Sequence, residues 1–138
     1  MMDQDRIRVL SVDDHALLRE GIAAIINHQS DMVLVSQASG GREAIQQYRE
    51  HRPDVTLMDL RMPDLSGIDA LRAIRAEFPD ACIIILTTFE GDVEVRRALE
   101  AGARAFLLKS NPPSQILQVI RQVHASGRGP NDFPATGH

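Results

Sequence analysis

Polar residues able to do chemistry stand where four apolar runs end. Asp13 and Asp14 follow the run 7–12, Asp59 closes the run 55–59, Thr87 closes the run 81–87 with Thr88 after it, and Lys109 follows 103–108. Three carboxylates gathered in one crevice repel, and each has its pKa raised unless a cation lies among them. With oxygen donors and no His pair or Cys at ligand spacing, Mg²⁺ is the natural ion, because one or two carboxylates hold it while it keeps waters. Lys109 adds a second, fixed positive charge. An aspartate nucleophile, a metal, a lysine and a hydroxyl meet the needs of phosphoryl transfer to a carboxylate, which is mostly positioning and electrostatics. Asp59 is the acid placed to be that nucleophile. Taken singly, each residue has a plainer explanation: a capped helix start for Asp13-Asp14, a solvated lysine for Lys109, a β-branched strand residue for Thr87. Their joint occurrence at successive run ends carries the argument.

The elements that must bring these residues together are legible as punctuation. The runs 7–12, 32–38, 55–59, 81–87 and 103–108 are apolar and β-rich with little polar alternation, as expected of strands buried on both faces. Between them lie helical patterns. Leu18, Ile22, Ile25 and Ile26 share a face; Ser39 is positioned to cap a helix carrying Ala44, Ile45 and Tyr48 that ends before Pro53; and Leu71, Ile74 and Phe78 form a stripe stopped by Pro79. From Asp92 to Ala101 the pattern is weak, with Val95 and Leu99 inward and most of the surface charged, so this helix is expected to pack lightly. Gly102 ends it, and the last helix runs from Pro113 to about Ser126. Five strand-helix repeats imply an α/β fold, a doubly wound five-stranded parallel sheet with helices on both faces.

Composition bounds the rest. The 138 residues, 43% hydrophobic and 25% charged, suit one globular domain. A formal net charge of −4 argues against nucleic-acid contact by this segment. Cys82 is the only cysteine, so neither an intrachain disulfide nor a cysteine metal cage is available. No apolar run approaches the ~20 residues of a membrane span, and a cytoplasmic location is expected. Residues 1–5 read as a disordered tail, 6–126 as the domain, and 127–138, rich in Gly and Pro, as a linker or truncated end.

Val12-Asp13-Asp14-His15, Leu57-Met58-Asp59-Leu60-Arg61-Met62-Pro63, Gly67, Ile85-Leu86-Thr87 and Phe106-Leu107-Leu108-Lys109 together resemble the receiver domain of bacterial two-component response regulators. The resemblance covers Arg6 to about Ser126. Arg19-Glu20-Gly21-Ile22 and 102–109 further resemble the subfamily whose receivers precede a helix-turn-helix DNA-binding domain, the nitrate-response and nodulation-regulator type. It implies a flavodoxin-like (βα)5 fold with strand order 2-1-3-4-5. It also implies that Asp59 takes a phosphoryl group from a histidine kinase, that Asp13 and Asp14 hold Mg²⁺ with Asp59 and the backbone carbonyl of Arg61, and that Thr87 and Lys109 engage the phosphoryl group. Thr87 and Phe106 are then the switch, working on the weak helix and the fifth strand to control homodimerisation and a DNA-binding output domain. Such a chain is no enzyme in its own right, although it would promote its own Mg-dependent phosphorylation and dephosphorylation.

Some positions depart from the family. Phe106 stands where a tyrosine is often found, so the switch side chain has no hydroxyl to bond once buried. Ser110-Asn111-Pro112-Pro113 is an unusual sequel to the lysine. Arg61 and Phe89 occupy positions that in the family influence acyl phosphate hydrolysis, and a bulky pair there is expected to screen Asp59 from water. His15, a lone histidine opening a helix, is read as a surface or packing residue outside the site. A haloacid-dehalogenase-like phosphatase fits less well, since its nucleophile follows the first strand with a second acid two residues on. A flavodoxin-type nucleotide module would need a Gly-rich phosphate loop, and Gly40-Gly41 lacks that spacing.

Overall fold

A computed structural model describes residues 6–88 and 93–126. Its elements alternate strictly: β1 (Ile7–Val12), α1 (Ala16–Asn27), β2 (Met32–Ala38), α2 (Gly41–His51), β3 (Val55–Asp59), α3 (Gly67–Glu77), β4 (Ile83–Thr87), α4 (Val93–Glu100), β5 (Ala105–Leu108) and α5 (Pro113–Ser126). The strands form one parallel sheet in the order β2-β1-β3-β4-β5, as expected. The expected tail 1–5 and linker 127–138, together with Phe89 and Asp92, lie outside the described residues.

Successive strand residues feed two different cores, because side chains alternate across a sheet. Leu10, Val12, Met58, Ile83 and Ile85 pack with Ala44 and Tyr48 of α2, Leu71 and Ile74 of α3, and Val95 and Ala98 of α4. Val9, Val55, Leu57, Ile84, Leu86 and Leu107 pack with Ile22 and Ile26 of α1 and Ile116, Ile120 and Val123 of α5. The strands are therefore apolar at nearly every position, and β3 and β4 are buried throughout. No helix among the described residues is long and apolar enough to cross a membrane.

Local details differ from expectation for identifiable reasons. Ser39 does not cap α2: the N-cap is Gly40, and Glu43 Oε1 reaches back to accept from the Ser39 backbone N at 2.7 Å. The helix-start amides of Gly41 and Arg42 donate instead to Asp64 at 3.0 and 3.1 Å, so the α2 start is capped from the loop after β3. These bonds hold the Asp64 carboxyl below the usual carboxylate range. β4 begins at Ile83 rather than 81, since Ala81 N closes a turn onto Phe78 O at 2.9 Å. Gly102, at φ +113°, ends the α4 segment in the left-handed region that glycine favours.

Candidate functional site

Strand register explains why the chosen residues meet. Val12 pairs with Met58, Asp59 with Leu86, and Thr87 with Leu108. One residue beyond the Val12–Met58 row, Asp13 and Asp59 come level; Thr87 stands one row further out and Lys109 a row beyond that. From there only a long side chain can fold back. Lys109 Nζ does so, lying 3.1 Å from Asp13 Oδ2 and 3.1 Å from Asp59 Oδ1. Its backbone N–H donates to Thr87 O at 2.7 Å, which ties the start of the β5–α5 loop to the end of β4.

The acids are deeply placed. Asp13 is fully buried and Asp59 is 3% exposed, with Thr87 buried beside them, while Asp14 is open to solvent. Asp59 Oδ1 is approached by the Arg61 N–H at 3.4 Å, but Asp59 Oδ2 accepts no hydrogen bond. Burial, and then the Asp13 carboxylate, push the Asp59 pKa above its ordinary value, and Lys109 only partly offsets them. Burial alone would lower the Lys109 pKa; its bonds to Asp13 and its attraction to Asp59 outweigh that and raise it. The cluster is thus short of positive charge. A buried, unbonded carboxylate oxygen, three acids and an all-oxygen set fit a hard divalent cation.

The raised pKa of Asp59 is also a statement about stability. The folded state binds a proton more tightly than the unfolded chain, so stability falls as pH rises from the ordinary carboxylate value to the raised one. Asp59→Asn removes that burden and leaves Lys109 its Asp13 partner. The variant is expected to melt several degrees above the wild type at pH 7, a gain of about 1–2 kcal/mol that shrinks on acidification. Thermal melts of both proteins across pH check this; a variant that melts lower at pH 7 would contradict it.

The loop after β3 is built to present Asp59. Gly67 N donates to Leu60 O at 2.8 Å, and Ser66 Oγ caps α3 by accepting from Asp69 N at 3.2 Å. Arg61 is exposed and its guanidinium lies 3.1 Å from Glu94 of α4, linking the loop to that helix. Phe106 of β5 is half-buried against the α2–α3–α4 core. α4 itself buries only Val95 and Ala98, and a groove of about 590 Å³ lined by Ser66, Asp69, Arg72, Glu94, Arg97 and Glu100 separates it from α3. Val95 faces inward as expected, whereas Leu99 is only half-buried and Ala98 takes the deeper place.

The structure adds one residue that the sequence left out. His15 Nδ1 lies 2.9 Å from Asp13 Oδ1 and 3.1 Å from Asp14 Oδ1, and the ligand atoms of Asp13, Asp14, His15 and Asp59 fall within 4.8 Å of one another. A second histidine at helical spacing would have signalled this, and there is none.

Comparison with known proteins identifies the family. The response regulator receiver domain family matches residues 9–121. The chain is 41% identical over 128 residues to the uncharacterized transcriptional regulatory protein YxjL of Bacillus subtilis (strain 168), across 93% of this chain and 57% of that protein. It therefore spans little more than half the length of that relative. A two-component response regulator of the LuxR family from Aurantimonas sp. SI85-9A1 superposes with a TM-score of 0.84 at 37% identity, covering 90% of this chain and 88% of that one. A chain of the CheX-CheY-BeF3-Mg+2 complex from Borrelia burgdorferi superposes with a TM-score of 0.78 at 26% identity, covering 85% of this chain and 88% of that one. This chain belongs to the response regulator receiver domain family and is a receiver domain of a two-component response regulator.

Proposed function

We propose that Asp59 is the phosphoacceptor of this receiver, within a functional unit spanning residues 6–126. A carboxylate oxygen of Asp59 attacks the phosphorus of a phosphohistidine on a partner kinase; the P–N bond breaks, the imidazole nitrogen leaves with the electron pair, and an acyl phosphate forms. Lys109, already 3.1 Å from both buried acids, carries the charge that then pairs with a phosphoryl oxygen. The Thr87 hydroxyl donates to another. Asp13, Asp14, Asp59 and the Arg61 carbonyl would hold Mg²⁺, which when bound screens the acids from the incoming phosphoryl group. The Mg²⁺ of the Borrelia burgdorferi complex supports this choice of ion.

The observation that carries the reading is a buried Asp59 beside Asp13, with Lys109 Nζ 3.1 Å from both and one Asp59 oxygen left without a hydrogen bond. Formation of the acyl phosphate removes that carboxylate charge and places a new dianion beside Thr87. Thr87 and Phe106 then bias the packing of α4, which buries only Val95 and Ala98, and of β5. In the whole protein this surface controls homodimerisation and a DNA-binding output domain that regulates transcription, as the transcriptional regulatory name of YxjL supports. The cytoplasm, where kinase and DNA are both available, is the proposed location.

The test is intact mass after incubation with acetyl phosphate. The wild type is expected to gain one phosphoryl group with Mg²⁺, and neither the wild type without Mg²⁺ nor Asp59→Asn with it is expected to gain any. Equal uptake by Asp59→Asn would place the acceptor elsewhere.

A further inference from the structure

Gly40 and Gly41 open α2, and their missing side chains make room for the loop after β3. A Cβ on Gly40 would fall 2.6 Å from Asp64 Oδ1, and one on Gly41 would fall 2.6 Å from the carbonyl oxygen and 2.7 Å from the Cβ of Leu65. The loop thus rests directly on the helix start. Both oxygens of Asp64 engage it: Oδ1 accepts from Gly41 N at 3.0 Å and Oδ2 from Arg42 N at 3.1 Å. Two charge-assisted bonds from one carboxylate to successive amides fix its orientation as well as its distance. The N-cap residue, Gly40, has no side chain to cap with. α2 is a firm post for such a tie, because Ala44 and Tyr48 are buried in the core that also holds Leu10, Val12 and Met58.

Asp64 stands five residues after Asp59 and three after Arg61. The same loop carries the Arg61 amide, 3.4 Å from Asp59 Oδ1, and is closed at its base by Gly67 N on Leu60 O at 2.8 Å. We propose that Asp64 is a positioning residue for phosphoryl uptake: by gripping the start of α2 it fixes the β3–α3 loop, and through it the backbone at Arg61 beside Asp59. The inference rests on the acceptor reading made above and adds to it a solvent-exposed residue outside the acid cluster. Met62 and Leu65 pack part-buried against the core and keep the loop close, but apolar contact is non-directional and leaves the loop free to slide. Directed bonds to a seated helix set the backbone at Arg61 to the fraction of an ångström that positioning for phosphoryl transfer needs.

The test separates tying the loop from capping the helix. Asp64→Ala removes both roles. Adding Gly40→Asp to Asp64→Ala returns an acid to the α2 start with no link to the loop, in the space the Asp64 carboxylate leaves. For the full chain as wild type, Asp64→Ala, Asp64→Asn and the double variant, urea unfolding gives the folded fraction. Intact mass then gives the initial rate of labelling by acetyl phosphate with Mg²⁺ per folded molecule, and metal-free hydrogen exchange followed by nuclear magnetic resonance reports on the Gly67 amide. Asp64→Ala is expected to label roughly 10-fold more slowly and to exchange the Gly67 amide faster. The double variant should regain stability and keep both defects, and Asp64→Asn, with one acceptor oxygen left, should fall between. A wild-type labelling rate per folded molecule in Asp64→Ala, an unchanged Gly67 exchange rate, or labelling that recovers in the double variant would reduce Asp64 to a helix cap and overturn the inference. A wild type that takes up no phosphoryl group would overturn the acceptor reading, and this inference with it.

Discussion

Lys109→Met is expected to cost the protein about 3 kcal/mol near neutral pH, with most of that loss vanishing in acid. The ammonium is the positive group that lies 3.1 Å from both Asp13 and Asp59, and it is itself only 16% exposed. Methionine keeps the length and the apolar stem but leaves two buried carboxylates facing each other. Asp59 is raised by burial and by Asp13 even with Lys109 present, so removing the lysine raises it further. The unfolded chain titrates near the ordinary value of about 3.9, and between that value and the raised one the folded variant binds more protons than the unfolded chain. Its stability therefore falls as pH rises through that window. Below it Asp59 is protonated in both states, and little of its pairing with the lysine remains to lose. Lys109 has a raised pKa of its own, so in the wild type its contribution persists through neutral pH and fades only in alkali. Thermal melts of both proteins should show a gap of roughly 10 °C at pH 7 that closes toward pH 4. A gap that does not change with pH would mean the lysine acts through packing alone.

Gly67→Ala should be at least as damaging, by a different route. A Cβ at this position would fall 2.2 Å from the carbonyl oxygen of Asp59 and 2.8 Å from the Cα of Leu60. Both are backbone atoms, so no side chain can rotate away to relieve the overlap. Either α3 retreats, breaking the Gly67 N to Leu60 O bond of 2.8 Å, or the end of β3 moves and carries Asp59 with it. The expected loss is about 3 kcal/mol or more, with phosphoryl uptake falling along with stability. Urea unfolding and acetyl phosphate labelling measure the two effects. A variant as stable and as readily labelled as the wild type would show that the β3–α3 junction does not position the acceptor.

Much of this site could be read from residues because it is a consequence of register. Apolar runs that stop at Asp13, Asp59, Thr87 and Lys109 need only a parallel sheet to be brought to one edge, and the repeated strand-helix pattern demands such a sheet. The offset of Lys109 by two rows from the acids even accounts for the choice of a long side chain. What stayed hidden depends on side-chain direction or on partners distant in sequence. His15 joins the acids by turning back from a helix start, a rotamer that no spacing encodes. Asp64 caps α2 from 22 and 23 residues away, whereas the local alternative, Ser39, was the visible one. The pairing of Arg61 with Glu94 likewise joins a loop to a helix across the fold. At β4, apolar composition at Ala81 and Cys82 outran the strand, because a turn bond to Phe78 uses the Ala81 amide first.

The central claim is that Asp59 carries the phosphoryl group as an acyl phosphate. Borohydride reduction of the labelled protein, followed by fragment mass analysis, tests it most directly, because reduction converts an aspartyl phosphate to homoserine at its own position. The account predicts homoserine at position 59, formed only after labelling with Mg²⁺ present, and unmodified Asp13 and Asp14. Homoserine at 13 or 14, or a phosphoryl group that resists borohydride because it rests on a hydroxyl or an imidazole, would contradict it.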